Sequence, residues 1–266
     1  MRLIRSVDNP LVRRILGLRD SARERREEAS TVIEGAHLVE AFLDNTNRMP
    51  ETLVMSEASS TQPDIVRLIE RTTDAKSICL DDRLFAKLSP VAGRNGVLAI
   101  IAVPETTPAE ALRSGGFQLW LDAIQDPGNV GSLIRSAAAS GAGAVILGPG
   151  CADPWSPKCL RGGMGGHFLL PVAKVDDLRA AANLWAGRVL LADARANGQL
   201  FATKLTGNVA VLLGGEGAGV QPTLVSMATE TFAIPMPGAV ESLNVGAAGA
   251  VICFERLRQA LTMANP

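Results

Sequence analysis

Apolar positions in the first hundred residues follow two rhythms. Short runs at residues 31–33, 52–55, 77–80 and 97–103 have strand length. Between them, apolar residues three and four apart predict helices over about residues 36–43, 64–71 and 83–88. An earlier helix opens at Asn9-Pro10, a capping residue followed by proline at the first helical position, and runs through Leu18. Residues 20–28 are almost all charged and read as a solvated helix end or loop. This mixture is a small α/β domain over residues 1–105.

Residues 104–116, with two prolines, two threonines and Gly115-Gly116, interrupt the pattern, and a linker is expected over 106–116. The rhythm then restarts in a second domain, 117–266. Strands are expected at 118–124, 144–147, 168–172, 189–192, 209–213 and 231–235. Helices are expected at 130–140, 177–185 and 243–261, with a looser stretch at 153–166. Strands that are apolar nearly throughout, alternating with helices, predict a parallel sheet covered on both faces.

Three polar turns follow strands of that sheet. One carries Asp122, Asp126, Asn129 and Gly131 and opens the helix holding Arg135. A second runs from Gly214 through Gly215, Glu216 and Gly217 to Gly219. The third runs from Ile234 through Met236, Gly238, Glu241, Ser242 and Leu243 to Asn244. In an open parallel sheet, ligands bind beyond the carboxyl ends of the strands, so the three turns point to one shared site. Each turn alone has a plainer reading, with Asn129 and Ser242 as helix N-caps and Gly141 as a C-cap.

Composition narrows the possibilities. The chain has 266 residues, 47% hydrophobic and 20% charged, which is globular and excludes a disordered chain. A net charge of −1 excludes a polybasic binder but not an enzyme with a local basic face. With no tyrosine and 4% aromatic residues, stacking platforms for single strands are not expected. Arginine supplies 21 of the 26 basic residues, and arginine suits phosphate and base contacts. Arg13, Arg14, Arg19, Arg23, Arg25 and Arg26 cluster near the start as candidate phosphate contacts, although Glu24, Glu27 and Glu28 lie among them.

The first residues hold no apolar signal core, and no run is long enough to span a membrane, so a cytoplasmic protein is expected. Four cysteines in so long a chain read as reduced, buried thiols. Cys151, Cys159 and His167 lack the close spacing of zinc sites, and no metal is expected. No P-loop and no nucleophile elbow is present.

Together the three turns resemble the sequence motifs of the SpoU/TrmH branch of the SPOUT superfamily, the RNA ribose 2′-O-methyltransferases. The resemblance spans Leu119 to about Arg258. A weaker one, through Asn9-Pro10, Glu34-Gly35 and Gly96-Val97, links the first domain to the family's small RNA-binding domain. The resemblance implies an α/β fold with a C-terminal trefoil knot, a homodimer, and S-adenosylmethionine as cofactor. It implies cofactor contacts at Gly214, Ile234, Met236, Gly238 and Leu243, the glycines letting main chain approach adenine and ribose. Catalytic and substrate roles fall on Asn129, Arg135, Glu216, Ser242 and Asn244, with Glu216 and Asn129 fixing the Arg135 guanidinium. One departure is Gly163, where relatives commonly carry serine. Ribosomal RNA is the implied substrate. A transfer-RNA methyltransferase, a base-methylating relative and a non-catalytic RNA-binding or assembly factor are the alternatives.

Overall fold

The computed structural model describes residues 2–89, 96–215 and 219–264. The chain divides into two compact units. The first holds Met1–Pro104 together with Trp155–Phe168, and the second Glu105–Pro154 with Leu169–Pro266.

In the first unit, five strands form one sheet: β1 (Arg2–Ile4), β2 (Ser30–Glu34), β3 (Thr52–Ser56), β4 (Lys76–Leu80) and β5 (Val97–Ala102). Their order is β1-β4-β3-β5-β2, with β5 antiparallel to both neighbours. Helix α1 (Pro10–Asp20) begins as its sequence dictates, with the Asn9 side chain accepting the Leu11 N–H at 2.9 Å. The charged stretch after it folds as a second short helix, α2 (Ala22–Glu27). Helices α3 (Ala36–Thr46), α4 (Pro63–Arg71) and α5 (Asp82–Leu88) complete this part.

One face of the sheet packs Val12, Ile15 and Leu18 of α1 with Leu84, Phe85 and Leu88 of α5. The other packs Leu38, Val39 and Phe42 of α3 with Ile65 and Leu68 of α4. That second core also contains Leu160 and Phe168 from the distant segment 155–168. The Phe168 ring meets Phe42 edge-on at 5.4 Å, and Thr31 donates to the Trp155 carbonyl at 2.7 Å. The strand pattern alone would leave this segment in the second half of the chain. Its side chains instead finish the first unit's core.

The second unit begins with α6 (Pro108–Arg113) in the stretch expected as a linker. Thr107 and Glu110 form a reciprocal capping box, and Ala111 and Leu112 are buried in this unit's core. Six strands follow: β6 (Phe117–Asp122), β7 (Ala144–Leu147), β8 (Val172–Lys174), β9 (Arg188–Ala192), β10 (Val209–Gly214) and β11 (Glu230–Phe232). All pairings are parallel, in the order β11-β9-β10-β6-β7-β8. The helices are α7 (Pro127–Ala139), α8 (Pro157–Gly163, in the first unit), α9 (Leu178–Leu184), α10 (Pro222–Val225) and α11 (Val245–Ala264). The expected strand at 168–172 is displaced to β8, because Phe168 is spent on the other core. From β6 the chain builds outward to β7 and β8, then returns to the opposite side for β9, β10 and β11. The carboxyl ends of β6 and β10 therefore flank the point where strand order reverses, the usual ligand position in such sheets.

Candidate active site

The site starts from two helix N-termini. Asp126, not Asn129, caps α7: its carboxylate accepts the N–H groups of Gly128 at 2.7 Å and Asn129 at 3.0 Å. Asn129 lies inside the first turn, and its carbonyl oxygen accepts from the Asn244 amide at 3.0 Å. Asn244, rather than Ser242, caps α11, with its oxygen taking the N–H groups of Gly246 at 2.9 Å and Ala247 at 3.3 Å. One amide thus closes a helix with its oxygen and ties it to a second helix with its nitrogen. Small residues allow the approach. A Cβ on Gly246 would lie 3.1 Å from Ser132 Oγ, and one on Gly249 only 2.1 Å from Leu133 Cδ2.

A cavity of about 760 Å³ opens beyond the carboxyl ends of β9, β10 and β11. Leu191, Leu213, Phe232, Ile234 and Val245 supply apolar walls, while Gly214, Met236, Ser242 and Leu243 also face it. Four of the five expected cofactor residues and Ser242 therefore converge there. Gly238, the fifth, does not line it, and a Cβ at that position would meet nothing within 4 Å.

The cavity wall is closed by main chain against main chain. A Cβ on Gly214 would lie 2.1 Å from the Gly219 carbonyl carbon and 2.2 Å from the Val220 nitrogen. On Gly215 it would lie 2.5 Å from the Ala123 carbonyl oxygen. These glycines are required by the close approach of main chain to main chain at the end of β10, so their place in the motif does not need a ligand to explain it. Behind them Asp122, fully buried, accepts from the Gln221 backbone N–H at 2.8 Å and its side-chain amide at 3.0 Å. Asp122 pairs with Gly214 in the sheet, so this clamp ties the end of β10 to Gln221. Glu216 itself lies outside the described residues.

Arg135 sits on α7 with its side chain exposed and no hydrogen-bond or ion-pair partner among the described residues. The expected support from Asn129 is not seen: the bond described for the Asn129 oxygen comes from Asn244. The thiols are shielded: burial raises Cys151, whose Sγ donates to the Leu121 carbonyl, and pushes Cys253 up to about 12. In the first unit, Cys159 Sγ lies 3.6 Å from His167 Nε2, both buried.

Residues 116–254 match the SpoU rRNA Methylase family model. The chain belongs to this family. Residues 9–99 match a second model, the MRM3-like substrate binding domain. The SpoU methylase is 32% identical over 239 residues to the 23S rRNA (guanosine(2553)-2′-O)-methyltransferase RlmP of Bacillus subtilis, covering 87% of this chain and 90% of that one. An AdoMet-bound rRNA methyltransferase from Sinorhizobium meliloti superposes with a TM-score of 0.84 at 25% identity, over 97% of this chain and 98% of that one. The SpoU methyltransferase AviRb from Streptomyces viridochromogenes, solved with AdoMet, shares the fold with a TM-score of 0.85 at 24% identity, over 96% and 99% of the chains. This SpoU methylase is an S-adenosylmethionine-dependent RNA 2′-O-methyltransferase.

The arginines that are candidate phosphate contacts are mostly occupied within the protein. Arg25 is buried, donating to the carbonyls of Leu18 and Arg19 at the end of α1. Arg14 is held by Glu28 and Glu51, Arg19 by Asp20 and the Lys87 carbonyl, Arg23 by Glu27, and Arg13 by Asp8. Arg14 and Arg19 tie α1 to the rest of the first unit, and Arg25 ties α2 to α1 and is unavailable to a ligand. Arg13 and Arg23 make only local, exposed pairs.

Proposed function

We propose that this SpoU methylase modifies a ribose 2′-hydroxyl in ribosomal RNA, with the cavity beyond β9 and β10 as its cofactor site. The carrying observation is the convergence of Gly214, Ile234, Met236, Ser242 and Leu243 on one cavity of about 760 Å³. That volume is within the roughly 300–1,000 Å³ of small-molecule sites, and its apolar walls with a few polar groups suit a nucleoside bearing an amino-acid tail. The main chain near Gly214, Ile234 and Leu243 would hold the cofactor, with Gly238 outside the lining. When bound, the cofactor supplies a methyl group on a sulfonium. The relative RlmP acts on 23S rRNA by its name, which favours ribosomal over transfer RNA here.

Arg135 is assigned to the acceptor. A guanidinium keeps its proton near neutral pH, so it serves by stabilising the developing 2′-oxyanion and gripping the neighbouring phosphate through two N–H donors. Its exposed side chain, without a partner among the described residues, leaves those donors for RNA. Asn129 and Asn244 keep the two helix ends in register, and Ser242 offers a hydroxyl at the cavity. Glu216 is assigned to the acceptor side from its place in the motif.

The same reading includes a C-terminal trefoil knot, supported by the fold shared with the AdoMet-bound rRNA methyltransferase of Sinorhizobium meliloti. It includes a cytoplasmic enzyme, supported by its ribosomal substrate, and a homodimer, supported by the half-exposed Phe254 and exposed Leu261 on α11.

The test uses labelled S-adenosylmethionine with separated ribosomal and transfer RNAs. Arg135→Ala should cut ribose methylation of ribosomal RNA by about 10²–10³ while leaving cofactor affinity nearly unchanged. Arg135→Lys should recover little, since a point charge cannot reproduce the fork. Activity of Arg135→Ala within a few-fold of wild type would sink the assignment, and label in transfer RNA alone would sink the substrate.

A further inference from the structure

Three titratable side chains line the cavity among the described residues: Asp193 and Arg195 on the loop after β9, and Glu241 on the turn before α11. The cavity therefore carries two negative charges and one positive. S-adenosylmethionine carries the opposite set, an ammonium, a sulfonium and one carboxylate. The positions are also ordered. The Arg195 backbone N–H donates to Asp193 Oδ1 at 2.9 Å, an Asx turn that holds the acid and the base on one short loop. Glu241 comes from a different segment, adjacent in the chain to Ser242 and three residues before Asn244. Asn244 in turn donates to Asn129 on α7, the helix that carries Arg135, so the segment holding Glu241 leads to the acceptor side.

We infer that these three side chains read the three charges of the cofactor. Asp193 takes the ammonium and Arg195 the carboxylate of the amino-acid end, while Glu241 faces the sulfonium. The inference rests on the cavity being the cofactor site. It has a consequence for turnover. In the transfer the S–CH₃ bond breaks with its electron pair left on sulfur, an O–CH₃ bond forms, and the 2′-hydroxyl proton passes to solvent water. The sulfonium becomes a neutral thioether, so Glu241 loses its partner while Asp193 and Arg195 keep theirs. The site favours the charged cofactor over its own product, and product leaves as its hold on one wall lapses. The three side chains are exposed to solvent, so each attraction is moderate and screened by salt.

Calorimetry on the whole protein with three ligands tests this: S-adenosylmethionine, S-adenosylhomocysteine, which lacks the sulfonium, and sinefungin, which carries an ammonium in its place. Wild type should bind the first and third more tightly than the second, and the gap should shrink with added salt. Glu241→Gln should weaken the two cationic ligands by about three- to tenfold and S-adenosylhomocysteine by less than twofold. Asp193→Asn and Arg195→Gln should weaken all three ligands alike, since all share the amino-acid end. An equal loss for every ligand in Glu241→Gln, or no loss in any variant, would overturn the assignment. Methyl NMR on wild type separates this from the underlying reading. Cofactor-induced shifts at Leu213, Ile234 and Leu243 support the cavity as the site, and binding without those shifts would overturn the site and the charge assignment together.

Discussion

At Asp122 a carboxyl group is wholly removed from water, and both hydrogen bonds described for it come from Gln221, 99 residues along the chain. A buried polar group that loses a partner costs roughly 1–3 kcal/mol. Gln221→Ala leaves only the backbone donor and frees the far end of the turn that walls the cavity. It should lower stability by about that amount in urea unfolding and weaken S-adenosylmethionine several-fold in calorimetry. Unchanged cofactor affinity alongside lowered stability would confine Asp122 to holding the fold. Cys253 offers a second test. Burial pushes its thiol to about 12 from an ordinary value of 9.0. The unfolded chain thus releases this proton first, and stability present below pH 9 is lost as pH rises towards the folded value. At pH 10 that loss is on the order of 1 kcal/mol, and Cys253→Ala should remove that share of it in urea melts at pH 8 and pH 10. The residues of the three motifs were legible in the sequence because each motif is local. The clamp on Asp122, the charges of Asp193 and Arg195, and the burial of Arg25 were not. They depend on which distant segment folds against them.

Among the elements, β10 shows how tightly local sequence and topology are bound. Gly214 ends the strand where Gly219 and Val220 pack against it, with main chain 2.1 Å from any Cβ. Backbone cannot yield as a side-chain tip can, so Gly214→Ala should impair both folding and cofactor binding. A lowered melting temperature together with absent calorimetric heat is the expected result, and a wild-type profile would refute the close contact. Strand and helix positions were readable where apolar periodicity was strong, and β7 falls on its expected residues 144–147. Three of the departures have local physical reasons. The three-residue β1 is too short to carry a period. Prolines and glycines flanking α6 concealed its Thr107–Glu110 capping box. The last helix starts at Val245 rather than 243 because Asn244 is its cap.

For the whole molecule, removing residues 1–105 is the obvious way to separate RNA capture from methyl transfer. It would also strip Leu160 and Phe168 of the core they complete. The simple truncation should therefore aggregate in light scattering. Replacing 155–168 by a short polar linker in the same truncation should restore a monodisperse protein. That protein should bind S-adenosylmethionine with near wild-type affinity and fail to methylate RNA; RNA methylation at the wild-type rate would show that the first unit is dispensable for capture.

The placement of residues 155–168 also governs how the protein is made. A ribosome extends a chain at about 5–20 residues per second, so several seconds separate the emergence of Pro104 from that of Phe168. During that interval the hydrophobic side of the first sheet waits without Leu160 and Phe168, while β6, α7 and β7 of the second unit are already out. Synthesis from the N-terminus cannot complete the halves one after the other. A nascent chain stalled at residue 150 should leave the first unit open to protease, and one stalled far enough to release residue 168 should close it.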